Sequence, residues 1–264
     1  LTTPDLVIVL AYTAGMLGVG LYYLRKQQRK DQYFVGDRKM GAFHIGFSVV
    51  ATDVGGGFSI GLGGLGFAMG IAGSWLLFTG LVGAWLAAVL LIPRVKPLAD
   101  RFGWLSYPDY LEHRFDSRTR LAAAIVSAVG YGAFVGAQIL AGAKLGSVAF
   151  EIDLTTAVWL MAAVVVVYTA LGGLQAVVLT DTVQWSILLV GLACFALPFA
   201  WIEVGGLDGL RAAVPAAHFS LTNIGALELI TWLITIVPIW FVGMTLYQRI
   251  YATRDVRTAK RAWY

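Results

Sequence analysis

Apolar residues in this chain run in long unbroken stretches rather than in one-sided stripes. A helix needs about twenty mostly apolar residues to cross the hydrocarbon core of a bilayer. Windows of that kind fall at 5–24, 43–70, 74–94, 120–149, 154–173, 180–203 and 226–248. The pattern predicts an all-α membrane protein with seven spans. The first is expected to be a retained helix and not a cleaved signal peptide. Asp5 precedes its apolar run, no basic segment leads into it, and the positive cluster follows it.

The polar positions between the windows are predominantly basic. Residues 25–40, 94–120 and 249–261 carry 17 of the 19 Lys and Arg. With alternating spans all three segments lie on one side, which the positive-inside rule makes the cytoplasm. The expected topology is a multi-pass protein of the cell membrane, N-terminus outside and C-terminus inside. Composition agrees: 59% of residues are hydrophobic and only 13% charged, with a mean hydropathy of +0.77. The sequence pI of 9.2 is then mainly a topology signal. The bilayer, through its anionic headgroups, is the only partner the basic balance implies, and nucleic-acid binding is excluded because the basic residues are scattered among apolar runs. The single cysteine, Cys194, rules out a disulfide framework and a multi-cysteine metal site. No pair of the three histidines, His44, His113 and His218, has metal-ligand spacing, so an enzyme is not expected. No feature indicates an oligomeric state.

Two spans do not read as plain helices. The second holds Asp53-Val54-Gly55-Gly56-Gly57 at its middle, and residues 55–73 contain nine of the 31 glycines. Successive glycines are costly inside a helix, and non-helical backbone at membrane depth persists only where protein or a watery cavity satisfies it. Residues 55–57 are therefore expected to be unwound. Asp53 beside them is the only acidic residue deep within a span, and an intramembrane carboxylate marks a functional site by default. Its alternatives are a structural partner or a protonated state. The seventh span is interrupted more mildly, by Pro238 and Gly243. Paired interrupted helices point to the binding site of a secondary transporter, where freed carbonyls suit a small cation and helix N-termini an anionic group.

Four stretches resemble the sodium:solute symporter family, which includes sodium-coupled proline, pantothenate, monocarboxylate and sugar carriers. They are Tyr33-Phe34-Val35-Gly36-Asp37-Arg38 with Gly41; Ala51-Thr52-Asp53-Val54 through Gly61-Leu62-Gly63-Gly64; Tyr168 to Val177 followed by Thr180-Asp181-Thr182-Val183-Gln184; and Gln248-Arg249. The resemblance implies a leucine-transporter-type fold in one transmembrane domain: an extra helix at 1–24, a first inverted repeat at 41–204, and the opening of a second at 226–264. It further implies that the chain stops there, with half of the sodium site beyond Tyr264. Sodium is the implied coupling ion, held by the backbone carbonyls of Ala51 and Val54. Asp53 matches an acidic position that assists sodium in the proline carriers. Asp181 matches an acidic residue on the sodium exit path, with a helix-capping role as its alternative. Arg38 matches a basic position near the inner gate, with topology-setting as its alternative.

The implied transport is symport of a small organic solute by alternating access. Around the expected pocket the chain reads Gly55, Gly56, Gly57, Phe58 and Ser59 at the first break, Trp75, Phe134 and Gln138 on intervening spans, and Trp240 and Thr245 at the second. This mostly apolar lining disfavours a polyhydroxy sugar and favours an amino acid, a short carboxylate or an organic cation. A retinal protein is excluded, since residues 226–248 contain no lysine. A seven-helix receptor gives no reason for glycines beside an aspartate. The alternative kept open is a symporter-like sensor domain that binds without transporting.

Overall fold

The computed structural model describes the backbone of residues 3–26, 29–53 and 55–264, and their side chains except at 53 and 56–59. The described chain is helical nearly throughout. α1 (Thr3–Lys26) leads to the short α2 (Lys30–Val35). A broken pair, α3 (Ala42–Asp53) and α4 (Gly56–Met69), precedes α5 (Trp75–Leu86) and α6 (Ile92–Phe102). After α7 (Tyr107–Arg114) come the long α8 (Ser117–Phe150) and α9 (Leu154–Val190), then α10 (Leu197–Val204) and α11 (Gly206–Ala213). A second broken pair, α12 (Ala226–Val242) and α13 (Met244–Ala252), precedes the terminal α14 (Val256–Trp263).

Four stretches among the described residues are long and apolar enough to cross a membrane: Thr3–Lys26, Ile60–Phe102, Ser117–Phe150 and Leu154–Val204. The pair α12 and α13, bent by 45°, makes a fifth. Neighbouring windows of the sequence thus fuse into stretches too long for one crossing. The helical run from 154 to 204 would extend about 75 Å if straight, more than twice the hydrocarbon thickness. It is broken at Gly173, where φ 56° and ψ −164° admit only glycine without strain. Contacts on α1 follow the break. Gly20 packs on Tyr168 and Gly172 before it, whereas Tyr12 Oη accepts from Gln184 Nε2 at 2.7 Å beyond it. Gly70 (φ 67°) makes the corresponding corner in 60–102, where backbone of His218 occupies the space of a Cβ. Wide π turns at Ala87–Leu91 and Gly191–Ala196 come just before Pro93 and Pro198. Each relieves the clash between a proline ring and the preceding turn.

The core lies at one end, among α3, α5, α6, the half of α9 after Gly173, α13 and α14, with Ile45, Ile92, Val178, Tyr247, Ile250 and Tyr251 buried. The three basic segments meet there. Met40 N–H donates to Ala252 O at 3.0 Å, Arg38 Nη2 to Trp104 O at 2.7 Å, and the fully buried Lys96 Nζ to Asp100 at 2.6 Å and Tyr251 O at 3.2 Å. The backbone around Arg38 is left-handed at three successive residues, Gly36, Asp37 and Arg38 (φ 59°, 60° and 54°). Lys39 and Arg29 beside Asp37 hold its carboxyl below the usual carboxylate range, the hydrogen bond from Lys39 being the larger cause. At the opposite end the segment after α11 straps onto the end of α4: His218 Nε2 donates to Phe67 O at 3.0 Å, and Asn223 Nδ2 to Met69 O at 3.2 Å. Between these ends α8, α10 and α12 present apolar side chains outward, such as Val126, Val148, Ile202 and Leu227, as expected where lipid replaces water as the solvent.

Candidate functional site

The first break is narrower than the sequence suggests. α3 ends at Asp53, Gly55 is extended (φ −79°, ψ −176°), and α4 already begins at Gly56. Gly56 and Gly57 are therefore helical, not unwound. Glycine at a helix start occupies positions whose N–H groups lack intrahelical partners anyway. Val54 and the side chains of Asp53, Phe58 and Ser59 lie outside the described residues. Ala51 is in the last turn of α3, so its carbonyl belongs to the four that an α-helix leaves without intrahelical partners.

The second break is at Gly243 (φ −65°, ψ 110°), while Pro238 stays within α12. Several of its freed groups are re-bonded locally. Tyr247 Oη donates to Phe241 O at 2.8 Å, Leu246 N–H donates to Gly243 O at 3.0 Å, and Thr245 N–H donates to Tyr131 Oη at 3.4 Å.

One face of α8 reaches both breaks. Tyr131 and Gln138 are seven residues apart, two helical turns or about 10 Å along the axis on the same side. Tyr131 Oη meets Thr245 at the second break, and the Gln138 amide lies directly against Gly55 at the first. Phe134, on the same stripe, keeps 48% of its surface accessible. The Gln138 Oε1 atom is buried without a hydrogen-bond partner.

A polar cluster ties the broken helices to α9. Ser48 Oγ, fully buried, donates to Asp181 Oδ2 and accepts from Arg249 Nε at 2.9 Å. Arg249 Nη2 also reaches Asp181 Oδ2 at 3.4 Å, and its Nη1 donates to Thr245 O at 3.2 Å. The side chains of Arg249 and Asp181 are 6% and 13% exposed. Asp181 is therefore an interhelical ion-pair partner and not a helix cap. One turn along α3, His44 Nδ1 lies 3.1 Å from Thr182 Oγ1. Since the Thr182 hydroxyl already donates to Val178 O, the histidine nitrogen is the donor.

The remaining expected site residues separate. Trp75 donates its indole N–H to Leu221 O at 2.9 Å, at the far end of α4 from the break. Trp240 is buried with its indole against Gly83 of α5. Arg38 binds Trp104 O and Asp100 at the basic end. Three participants were missing from the sequence reading of the pocket: Tyr131, Ser48 and Arg249. Tyr131 could have been found from its seven-residue spacing to Gln138. Arg249 was assigned to a basic loop, and only its packing shows that it is buried.

The model of the sodium:solute symporter family matches residues 33–263. Relatives include the sodium/proline symporter of Escherichia coli, 33% identical over 78% of this chain and 42% of the relative. The high-affinity proline transporter PutP of Bacillus subtilis is 28% identical over 94% and 54%. The pig sodium/glucose cotransporter 1 is 32% identical over 77% and 31%. The chain thus spans about half the length, or less, of the curated relatives it matches. A solved Na+-coupled sialic acid symporter, described in a substrate-bound outward-open state, superposes with a TM-score of 0.82 at 23% identity, covering 98% of this chain and 55% of the other. These relatives are transporters and not enzymes, and the chain shares the fold of the solved one. The chain is a multi-pass membrane protein and belongs to the sodium:solute symporter family.

Proposed function

We propose that the protein is a secondary active transporter of the cell membrane that couples Na+ entry to symport of a small organic solute: an amino acid, a short carboxylate or an organic cation. The observation that carries this reading is the meeting of two interrupted helices on one face of α8, through Gln138 at Gly55 and Tyr131 at Gly243. The end of α3 at the first break offers the Ala51 carbonyl to a dehydrated cation; the carbonyl of Val54, which lies outside the described residues, is the second that the resemblance assigns to it. The start of α4 offers N–H groups to an anionic group of the solute. Asp53, which closes α3, adds the formal charge that would assist the ion. Gly55 to Ser59, Phe134, Gln138 and Thr245 form the solute's surroundings, with Trp75 and Trp240 as supports of the helices that frame them.

In this reading the chain crosses the membrane seven times, with Gly70 and Gly173 as corners between crossings. Residues 41–204 form the first inverted repeat, 226–264 open the second, and the basic end faces the cytoplasm. Asp181 lies on the route of sodium release. Its pairing with Arg249 and Ser48 holds that route shut while α3, α9 and α13 stay together, and Arg38 acts as an inner latch on α6.

The full-length protein, reconstituted in liposomes, tests this directly. An inward Na+ gradient is expected to drive solute accumulation that collapses when K+ replaces Na+. Binding of solute with no accumulation under any ion gradient would overturn transport and favour a sensor.

A further inference from the structure

The first break holds an unmet chemical demand, and its nature narrows the class of solute. Gln138 Oε1 is a strong acceptor, buried and without a partner among the described residues. Leaving such an atom bare costs about 1–3 kcal/mol. A Cβ placed on Gly55 would come within 2.5 Å of it, so the absence of a side chain at 55 is what lets the amide sit at the break. The neighbouring polar group on the same stripe, Tyr131 Oη, is already engaged by Thr245. Other buried orphans lie elsewhere: His218 Nδ1 at the outer strap, Tyr251 Oη and Trp263 Nε1 at the basic end. Among the described residues Gln138 is the one side-chain orphan at the breaks.

What it lacks is a donor. The carbonyl end of α3 at the same break adds partial negative charge, which favours a donor carrying positive charge. Phe134, one turn away and partly open, offers apolar contact and no second acceptor, which suits a compact donor on a hydrocarbon frame. We propose that Gln138 is a specificity-determining residue that accepts a hydrogen bond from an N–H group of the solute. The solute is then a primary or secondary ammonium compound, and neither a quaternary ammonium nor a carboxylate lacking nitrogen. This rests on the transporter reading above.

A matched set of probes separates the possibilities: L-proline, which has ammonium N–H; its N,N-dimethyl betaine, which has the same ring and carboxylate but no N–H; and cyclopentanecarboxylate, which has no nitrogen. Each is presented in labelled form to the full-length protein in liposomes under an inward Na+ gradient, and Na+-dependent uptake is read. The expected result is uptake of proline alone. In Gln138→Met, close in size but without the acceptor, proline's apparent affinity should fall about 10- to 100-fold, the loss of a hydrogen bond to a charged group, while Gln138→Glu retains the preference for N–H. The Glu variant keeps the test decisive if the Met variant does not insert. Equal uptake of the betaine or of cyclopentanecarboxylate, or unchanged proline affinity in Gln138→Met, would overturn the assignment and leave sodium-coupled transport standing. Preference for cyclopentanecarboxylate over proline would also overturn it, since the amide would then be presenting its N–H2. Absence of Na+-dependent uptake with all three, and with a panel of other amino acids, short carboxylates and organic cations, would sink the transporter reading, and this inference with it.

Discussion

The two helix interruptions differ in how completely they look after themselves. At Gly243 three of the released groups are answered within the protein: Phe241 O by Tyr247, Gly243 O by Leu246, and Thr245 N–H by Tyr131. At Gly55 the chain is extended, and among the described residues the neighbouring amide of Gln138 has a buried bare acceptor. An interruption whose side chains and neighbours answer its groups behaves more as a structural bend, because less is gained by adding a ligand. An unsaturated one gains free energy from any group that completes it. By these groups the first break ranks above the second as the place where an added donor would be favoured.

That ranking can be broken in several ways. The largest effect is expected from Gly55→Leu, whose side chain must displace the Gln138 amide. Na+-dependent uptake should be abolished with membrane insertion intact, while Gly243→Ala, meeting its nearest atom at 3.0 Å, should keep measurable uptake. Equal losses would erase the distinction. Next comes Arg249→Met, which strands the Asp181 carboxylate. Breaking one side of a buried pair costs about 3–5 kcal/mol, read as a lower midpoint of thermal unfolding in detergent, and Arg249→Lys should recover little because the Ser48 and Thr245 bonds use separate guanidinium nitrogens. Tyr247→Phe sharpens the comparison from the other side. It removes the donor to Phe241 O at a cost of about 1 kcal/mol, so uptake should persist with modestly reduced stability; complete loss of transport would make the second break as demanding as the first.

The smallest effect concerns the basic end, away from both breaks. Asp37 has its pKa depressed by Lys39 and Arg29, so its contribution is fully present above the ordinary carboxylate pKa of about 3.8 and is lost as pH falls through the lower folded value. Being at an exposed pair, it amounts to under about 1 kcal/mol. Stability of wild type and Asp37→Asn should differ by a constant small amount from pH 5 to 8 and converge below pH 3.8. A difference that changes within pH 5 to 8 would contradict the assignment.

Much of this organisation is legible in the residue string, for reasons that also mark its limits. Apolar runs identify helices because lipid demands continuous hydrophobicity, and the glycines beside Asp53 betray a break because repeated glycine serves no helix interior. The string ends its windows at Gly70 and Gly173 but does not show how the chain turns there without a loop, and the backbone angles at Gly173 reveal the break. The width of the first break was likewise hidden, since Gly56 and Gly57 are permissive of either state and tertiary contacts decide. Trp75 and Trp240 read as lining because aromatic residues near a break look alike whether they face a cavity or another helix; a carbonyl at Leu221 and the hollow over Gly83 settle their direction. Arg249 hid among loop cations because charge counts carry no depth.

The left-handed run at Gly36, Asp37 and Arg38 has an energetic consequence for motion. Two L-residues in that conformation cost about 1–2 kcal/mol apiece, so the segment is wound against its own preference. It stays wound because Arg38 grips Trp104 and Asp100 and because Met40 bonds to Ala252. A movement that withdraws α6 or α13 forfeits those bonds and at the same moment lets the backbone relax, so loss and refund partly cancel. The grip at the basic end is thereby poised like a sprung catch: firm when engaged, yet light to open.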